Sequence, residues 1–158
     1  MLQRVQSILL MVAGICMIVF LGTTTWQKDI AETSEQVILN PYYLIHTKGA
    51  LAVLKKPVYY LALMAVIASG LSIFTIFQYK NRVRQMLLVA LNSLLIGATL
   101  GVAVYHVQYE ANSMGDMSKD GHFSIGFWAV FVALFANWAA NRFIRKDDKL
   151  VKSADRMR

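Results

Sequence analysis

Residues 86–108 read MLLVALNSLLIGATLGVAVYHVQ and contain no Asp, Glu, Lys or Arg. A helix needs about 20 apolar residues to cross roughly 30 Å of hydrocarbon, so this length and composition predict a membrane span. Three other segments share these properties, at about 5–25, 57–79 and 123–141. The chain therefore predicts four transmembrane helices in a single integral membrane domain, residues 1–158.

The composition of the whole chain agrees with this prediction. Apolar residues make up 57% of it and charged residues only 16%, against about 25% charged in an average soluble domain. The first segment is too long for a signal peptide, and its exit at Thr23–Trp26 lacks a small-x-small cleavage pattern, so we expect a retained span. A soluble globular domain is excluded on these grounds.

The basic residues predict which way the chain crosses the membrane. With the amino terminus inside, eleven of the 16 Lys and Arg residues, including all seven arginines, fall on the inner side and five on the outer side. Basic residues are retained on the cytoplasmic side of a membrane. We therefore expect both termini to be cytoplasmic, and the net charge of +7 gives no reason to invoke nucleic acid.

Four antiparallel spans joined by a short inner turn at residues 80–85 predict an all-α membrane protein, a four-transmembrane-helix bundle. The first outer loop, residues 26–56, contains the stretch EQVILNPYYLI at residues 35–45. Its β-branched and aromatic residues around an Asn-Pro break predict a short β-hairpin or an extended segment. Trp26 is expected at the membrane interface, where amphipathic rings are favoured.

The carboxyl-terminal residues 142–158 lack Gly and Pro, so the fourth helix is expected to continue as a cytoplasmic helical tail with one apolar face and a basic remainder. Its basic residues could anchor the tail to anionic headgroups. They could instead dock an acidic protein partner. In a third interpretation, Asp147 and Asp148 form salt bridges with Arg82 and Arg84. These bridges would clamp the helical hairpin of the second and third spans.

The spans carry almost no ionisable groups, which counts against a pump or transporter with an intramembrane ion site. Cys16 is the only cysteine, so no disulfide or paired-thiol site forms within the chain. His46, His106 and His122 are too far apart in sequence to indicate a metal site. We find no catalytic constellation, and we expect no enzyme activity, no metal and no cofactor.

Uncharged polar residues within the spans are expected to form hydrogen bonds between helices: Asn92, Ser93, Thr99 and Asn137. Gly97 and Gly101 form a GxxxG pair, a spacing that lets another backbone approach closely. The contact could lie between two copies of the chain. Small residues at 65–70 of the second span favour a contact within the bundle.

Three pieces resemble the family called domain of unknown function 4293: the start MLQRVQ, residues 76–85 (IFQYKNRVRQ) and residues 140–158 (ANRFIRKDDKLVKSADRMR). One departure is Asp148, where the family pattern leads us to expect Glu. The resemblance implies a small four-span protein of the bacterial inner membrane. The family has no assigned activity, so it implies no catalytic residue.

These pieces gather residues into one predicted cytoplasmic interaction face: Lys80, Asn81, Arg82, Arg84, Gln85, Asn141, Arg142, Lys146, Asp147 and Asp148. We therefore expect a non-enzymatic accessory or scaffold subunit that meets anionic headgroups and a protein partner or a second copy. An alternative is a small oligomeric channel or carrier, which needs a polar stripe facing a shared axis. A lipid- or quinone-linked enzyme is less favoured, because a clustered His or carboxylate site is missing.

Overall fold

The computed structural model describes residues 2–30, 35–49, 51–79, 81–111, 113–114 and 121–156, and the side chains of these residues except 2, 3, 30 and 151–156. Within these residues, four helices are long and apolar enough to cross a membrane, in agreement with the four predicted segments. Their bounds are α1 Leu2–Gly22, α2 Tyr59–Phe77, α3 Arg82–His106 and α4 Ile125–Arg156.

The helices form a closed ring in which each packs against its two neighbours in sequence, and α4 returns to α1. Their buried faces carry many small residues, such as Ala65, Ala68, Ala133 and Ala140. Small side chains let helix backbones approach closely, which is the main source of packing energy where lipid surrounds the helices.

The expectation of an all-α fold is wrong, because the chain also forms a five-stranded antiparallel sheet. The strands are β1 Trp26–Ile30, β2 Glu35–Leu39, β3 Tyr43–Lys48, β4 Leu51–Pro57 and β5 His122–Phe123, in the spatial order β4-β3-β2-β1-β5. The stretch predicted as a short hairpin is thus only the β2–β3 part of a larger sheet, to which the connections α1–α2 and α3–α4 both contribute.

The central strands follow from alternating apolar residues. Val37 and Leu39 on β2 and Leu44 on β3 are fully buried, while the neighbouring residues of β2 are more exposed, as the period of two in a strand requires. Pro41 lies in the turn between β2 and β3, closed by the Asn40 N–H donating to the Tyr43 carbonyl. Gly49, with φ of 61°, lies in the turn between β3 and β4.

The sheet covers one end of the bundle, which we call the sheet end; the opposite end, where α2 turns into α3, is the tail end. At the sheet end α3 continues into a π-helical turn, Val107–Ala111, that contacts β2. Trp26 is only 2% exposed and belongs to the core between sheet and helices. Its ring therefore packs inside the protein, and the expected place of Trp26 at the membrane interface stays a prediction.

A pH dependence arises from the facing pair Glu35 and Lys48 on β2 and β3, whose Oε1 and Nζ atoms are 2.8 Å apart. The hydrogen bond from Lys48 lowers the pKa of Glu35, and the same bond raises the pKa of Lys48. A carboxylate with a lowered pKa stabilises the fold above its ordinary pKa of about 4.3, and the contribution is lost as pH falls through the lower folded value.

We expect the wild type to have a higher Tm than Glu35→Gln at pH 7 and this difference to shrink as the pH falls below about 4. Thermal unfolding in detergent at both pH values measures it. Because the pKa of Lys48 is raised above its already high ordinary value, its ammonium group stays charged at both pH values. A Tm difference that is the same at pH 7 and pH 3.5 would contradict the pairing.

Candidate interaction face at the tail end

The turn between α2 and α3 is fixed by Asn81, the N-cap of α3. Its backbone is extended, and its side-chain Oδ1 accepts the backbone N–H of Arg84 at 3.2 Å. An Asn at this position satisfies an amide that has no partner within the helix. The cap therefore explains Asn81 structurally, and it sets where Arg82 and Arg84 leave the helix.

Arg82 joins this turn to α4. Its Nη2 lies 3.4 Å from Asp147 Oδ2, and its Nη1 donates to the Asp147 carbonyl at 3.3 Å. Both side chains are partly exposed, so the pair contributes at most about 1 kcal/mol to stability. Its consequence is geometric, because it holds the extension of α4 against the α2–α3 turn. This is the clamp considered from the sequence, formed by Arg82 and Asp147.

Four cations of α4 lie at i, i+3, i+4 and i+7, a spacing that puts them on one face of the helix. We call this set the basic stripe; it consists of Arg142, Arg145, Lys146 and Lys149, and all four are exposed. Beside it is an open groove of about 350 Å³, lined by Trp138, Asn141, Arg142 and Arg145. Arg142 also lies over the Trp138 ring, 5.8 Å from its centroid. Clustered like charges attract anionic groups.

The predicted list of face residues left out Arg145 and Lys149, although the basic tail that contains them was considered as a docking surface and the spacing of the four cations identifies them. Gln85 was placed on the interaction face, but it is buried and donates to the Thr75 carbonyl at 3.5 Å. Its role is to connect α3 to α2, so its assignment to the surface is corrected. Lys80 lies outside the described residues.

Of the three remaining predicted members, Asn141 and Asp148 are partly buried. Arg84 is exposed at the start of α3. The tail end thus presents exposed cations on two helices, which the Arg82–Asp147 pair connects.

A second cluster, at the sheet end, was not predicted. Lys56 Nζ donates to Glu110 Oε1 at 2.7 Å, and the other oxygen, Oε2, lies 3.0 Å from His106 Nδ1. The Tyr60 hydroxyl contacts His106 Nε2. The bond to Glu110 raises the pKa of Lys56. These four side chains tie β4 to α2 and α3; the i, i+4 spacing of His106 and Glu110 was the only signal of it in the sequence.

The three histidines have separate surroundings. His46 is on β3, 3.6 Å from Glu35 Oε2, His106 is in the cluster just described, and His122 is exposed on β5. Within the part of the chain that the structure describes, no three His, Cys, Asp or Glu side chains group together as a metal site would require.

Polar residues connect the helices at the middle of the bundle. Asn92 donates to Ser72 Oγ at 2.8 Å and to Asn137 Oδ1 at 3.3 Å. Asn137 donates to the Val89 carbonyl at 2.9 Å and to Ser93 Oγ at 2.7 Å. The expected bonds between helices are therefore present for Asn92, Ser93 and Asn137. Thr99 instead bonds to the Leu95 carbonyl of its own helix.

The GxxxG pair does not pack within the bundle. A Cβ placed on Gly97 or on Gly101 meets no atom within 4 Å beyond the nearby backbone of its own helix, so the expected contact with small residues of α2 is not formed. Gly14 of α1 makes the close approach instead: its Cβ position is 3.4 Å from Ser72 Cβ. The spacing of the two glycines identified a helix surface without side chains. It could not show whether that surface faces the other helices or the outside of the bundle.

Four apolar helices under a five-stranded sheet, with exposed cations at the opposite end, define a four-span membrane protein with a sheet at one end of its helices. The chain belongs to the family described as domain of unknown function (DUF4293), whose model matches residues 2–157. No curated protein matches it.

Proposed function

We propose that this chain is a non-enzymatic accessory subunit of the bacterial inner membrane, with both termini cytoplasmic, which docks an acidic cytoplasmic protein on the basic stripe and Arg84. The observation that carries the proposal is the four-cation spacing on a part of α4 that is clamped to the α2–α3 turn. The asymmetric distribution of basic residues supports the orientation.

The length of α4 supports a surface outside the membrane. Its 32 residues span about 48 Å at 1.5 Å per residue, which exceeds the roughly 30 Å of hydrocarbon by several turns. The basic stripe begins in the second half of this helix. A helix extension held in place before binding loses less entropy when a partner docks, so its contacts yield more affinity.

The channel alternative receives no support from the polar residues of the spans. Asn92 and Thr99 are fully buried inside the bundle, and Ser93 accepts a hydrogen bond from Asn137. These three residues therefore do not form the outward-facing polar stripe that a shared pore would need. The stronger competitor is a lipid anchor, in which anionic headgroups neutralise the stripe at up to roughly 1 kcal/mol per cation. The following experiment separates a protein partner from lipid.

Chemical cross-linking in cells, mild-detergent purification and mass spectrometry should recover a protein partner with the wild type. We expect the triple variant R142E/R145E/K146E to lose most of it, because like charges across an interface disfavour binding. Lys55→Glu, which reverses a cation at the sheet end, is the control and should retain the partner.

Recovery of the wild-type chain alone, with only phospholipid bound, would leave the lipid anchor as the explanation and overturn the docking proposal. A partner that stays bound to the triple variant as well as to the control would place the interface elsewhere on the molecule.

A further inference from the structure

Strand β4 forms one edge of the sheet. It pairs with β3 on one side, and none of the other strands that the structure describes pairs with its outer side. An edge strand of seven residues presents a row of backbone N–H and C=O groups that another extended chain can bind.

The side chains of β4 are exposed on both faces of the sheet, in contrast to the half-buried β2. Leu51 is 76% exposed, Val53 60% and Leu54 42%. The pairing with β3 shifts at His46 and Thr47, which face Leu54 and Ala52 and leave Val53 as an extra residue on β4. Three large apolar side chains thus lie uncovered along an open edge, where a second strand would bury them.

Proteins commonly protect such an edge with lysines that project across it. Here both lysines of β4 are held by their own chain. Lys55 Nζ lies 4.0 Å from the centroid of the Tyr43 ring, and Lys56 is bonded to Glu110. Since neither ammonium group projects free along the edge, neither opposes an incoming strand, and neither is available to attract an acidic one.

We propose that β4 pairs antiparallel with β4 of a second copy of this chain, so that the two sheets become continuous. A two-fold axis that passes between Val53 and Leu54 relates the two copies. Across it, each of the following residues faces one from the other copy: Val53 faces Leu54, Ala52 faces Lys55 and Leu51 faces Lys56. Lysine never faces lysine in this register, and the lysine methylenes cover Leu51 and Ala52. Pro57 lacks an N–H and ends the ladder.

A second copy is the occupant that these observations select. In the antiparallel register, the apolar residues of β4 in one copy face apolar residues or lysine stems of the other copy. A two-fold interface uses the same surface patch on both partners in this way. This inference is independent of the proposed function, which concerns the tail end, so either can fail without the other.

Disulfide trapping tests the pairing directly. In a Cys16→Ser background, single cysteines at Val53 and Leu54 lie next to the axis, whereas Gln36→Cys is exposed on β2, two strands away from the edge. Cysteines cross-link when their Cα atoms approach within about 4.4–6.8 Å. After mild oxidation of native membranes, we expect several-fold more disulfide-linked dimer from Val53→Cys or Leu54→Cys than from Gln36→Cys.

The mass of the undisturbed chain in mild detergent provides the second measurement. For the wild type we expect a particle with twice the chain mass of 17.8 kDa. The V53K/L54K variant should be monomeric, because two new lysines from each copy would meet across the axis. Gly97→Leu/Gly101→Leu, which alters the open helix face, should leave the dimer intact. Three results would overturn the proposal. The first is cross-linking of Val53→Cys and Leu54→Cys no greater than that of Gln36→Cys, and the second is capture of a different protein. The third is a dimer that is lost only in the glycine variant.

Discussion

Replacing Gly126 with alanine is expected to lower the free energy of unfolding by about 1–3 kcal/mol, the usual cost of overpacking a tight site. A Cβ at Gly126 would lie 2.6 Å from the carbonyl oxygen of Thr24. That oxygen also accepts the Gly126 N–H at 2.9 Å. Because the atom in the way belongs to the backbone, α4 must shift away from the link between α1 and β1. This shift weakens the packing of the sheet against the helices.

Gly101→Ala is the matched control, since Gly101 is also helical but exposed, with nothing within 4 Å of its Cβ position. Alanine in an open helix position is expected to stabilise by about 0.5–1 kcal/mol. Equilibrium unfolding in detergent of both variants measures the contrast. Equal effects of the two substitutions would show that Thr24 does not pack against α4 as described.

The second large effect is expected from Asn137→Leu, which should destabilise the bundle by about 1–3 kcal/mol. Asn137 is fully buried and makes bonds to Ser93, Asn92 and the Val89 carbonyl. Leucine has a similar volume but makes none of these bonds, so Asn92 loses one acceptor in surroundings without water. A hydrogen bond between helices contributes about 0.6 kcal/mol on average, and three are lost together.

Thr99→Val is the control for Asn137→Leu. Thr99 is equally buried, but its hydroxyl donates to the Leu95 carbonyl of its own helix. Its loss should cost no more than about 1 kcal/mol, and the Asn92→Ala/Asn137→Leu double variant should be less destabilised than the sum of the singles. Additive effects would mean that the two asparagines act separately.

The helices were predictable because a membrane span needs only length and apolarity, both visible in one segment. The sheet was not. Strand β1 contains Lys28 and Asp29, which interrupt any apolar alternation, yet Lys28 is 1% exposed. Strand β4 is exposed on both faces and therefore has no alternation to detect. Strand β5 has two residues and exists only because β1 lies beside it.

The candidate face was predicted only in part, because some of its contacts follow from the order of the helices and others from how the helices are rotated. Arg82 and Asp147 could be paired from the expected meeting of the inner turn with the fourth helix, since topology alone brings them together. The burial of Gln85 depends on how α2 and α3 rotate about their axes, and the outward direction of Gly97 and Gly101 depends on it too. Rotation is set by packing among all four helices, which no single segment encodes.

Docking of a cytoplasmic partner requires the tail end to face the cytoplasm, and thiol labelling measures directly which side of the membrane each end occupies. In the Cys16→Ser background, Asp29→Cys reports on the sheet end and Lys149→Cys on the basic stripe; both positions are exposed. We predict that a membrane-impermeant maleimide labels Asp29→Cys in intact spheroplasts and labels Lys149→Cys only after the membrane is permeabilised. Labelling of Lys149→Cys in intact spheroplasts, with Asp29→Cys protected, would contradict the account, because no cytoplasmic partner could then reach the basic stripe.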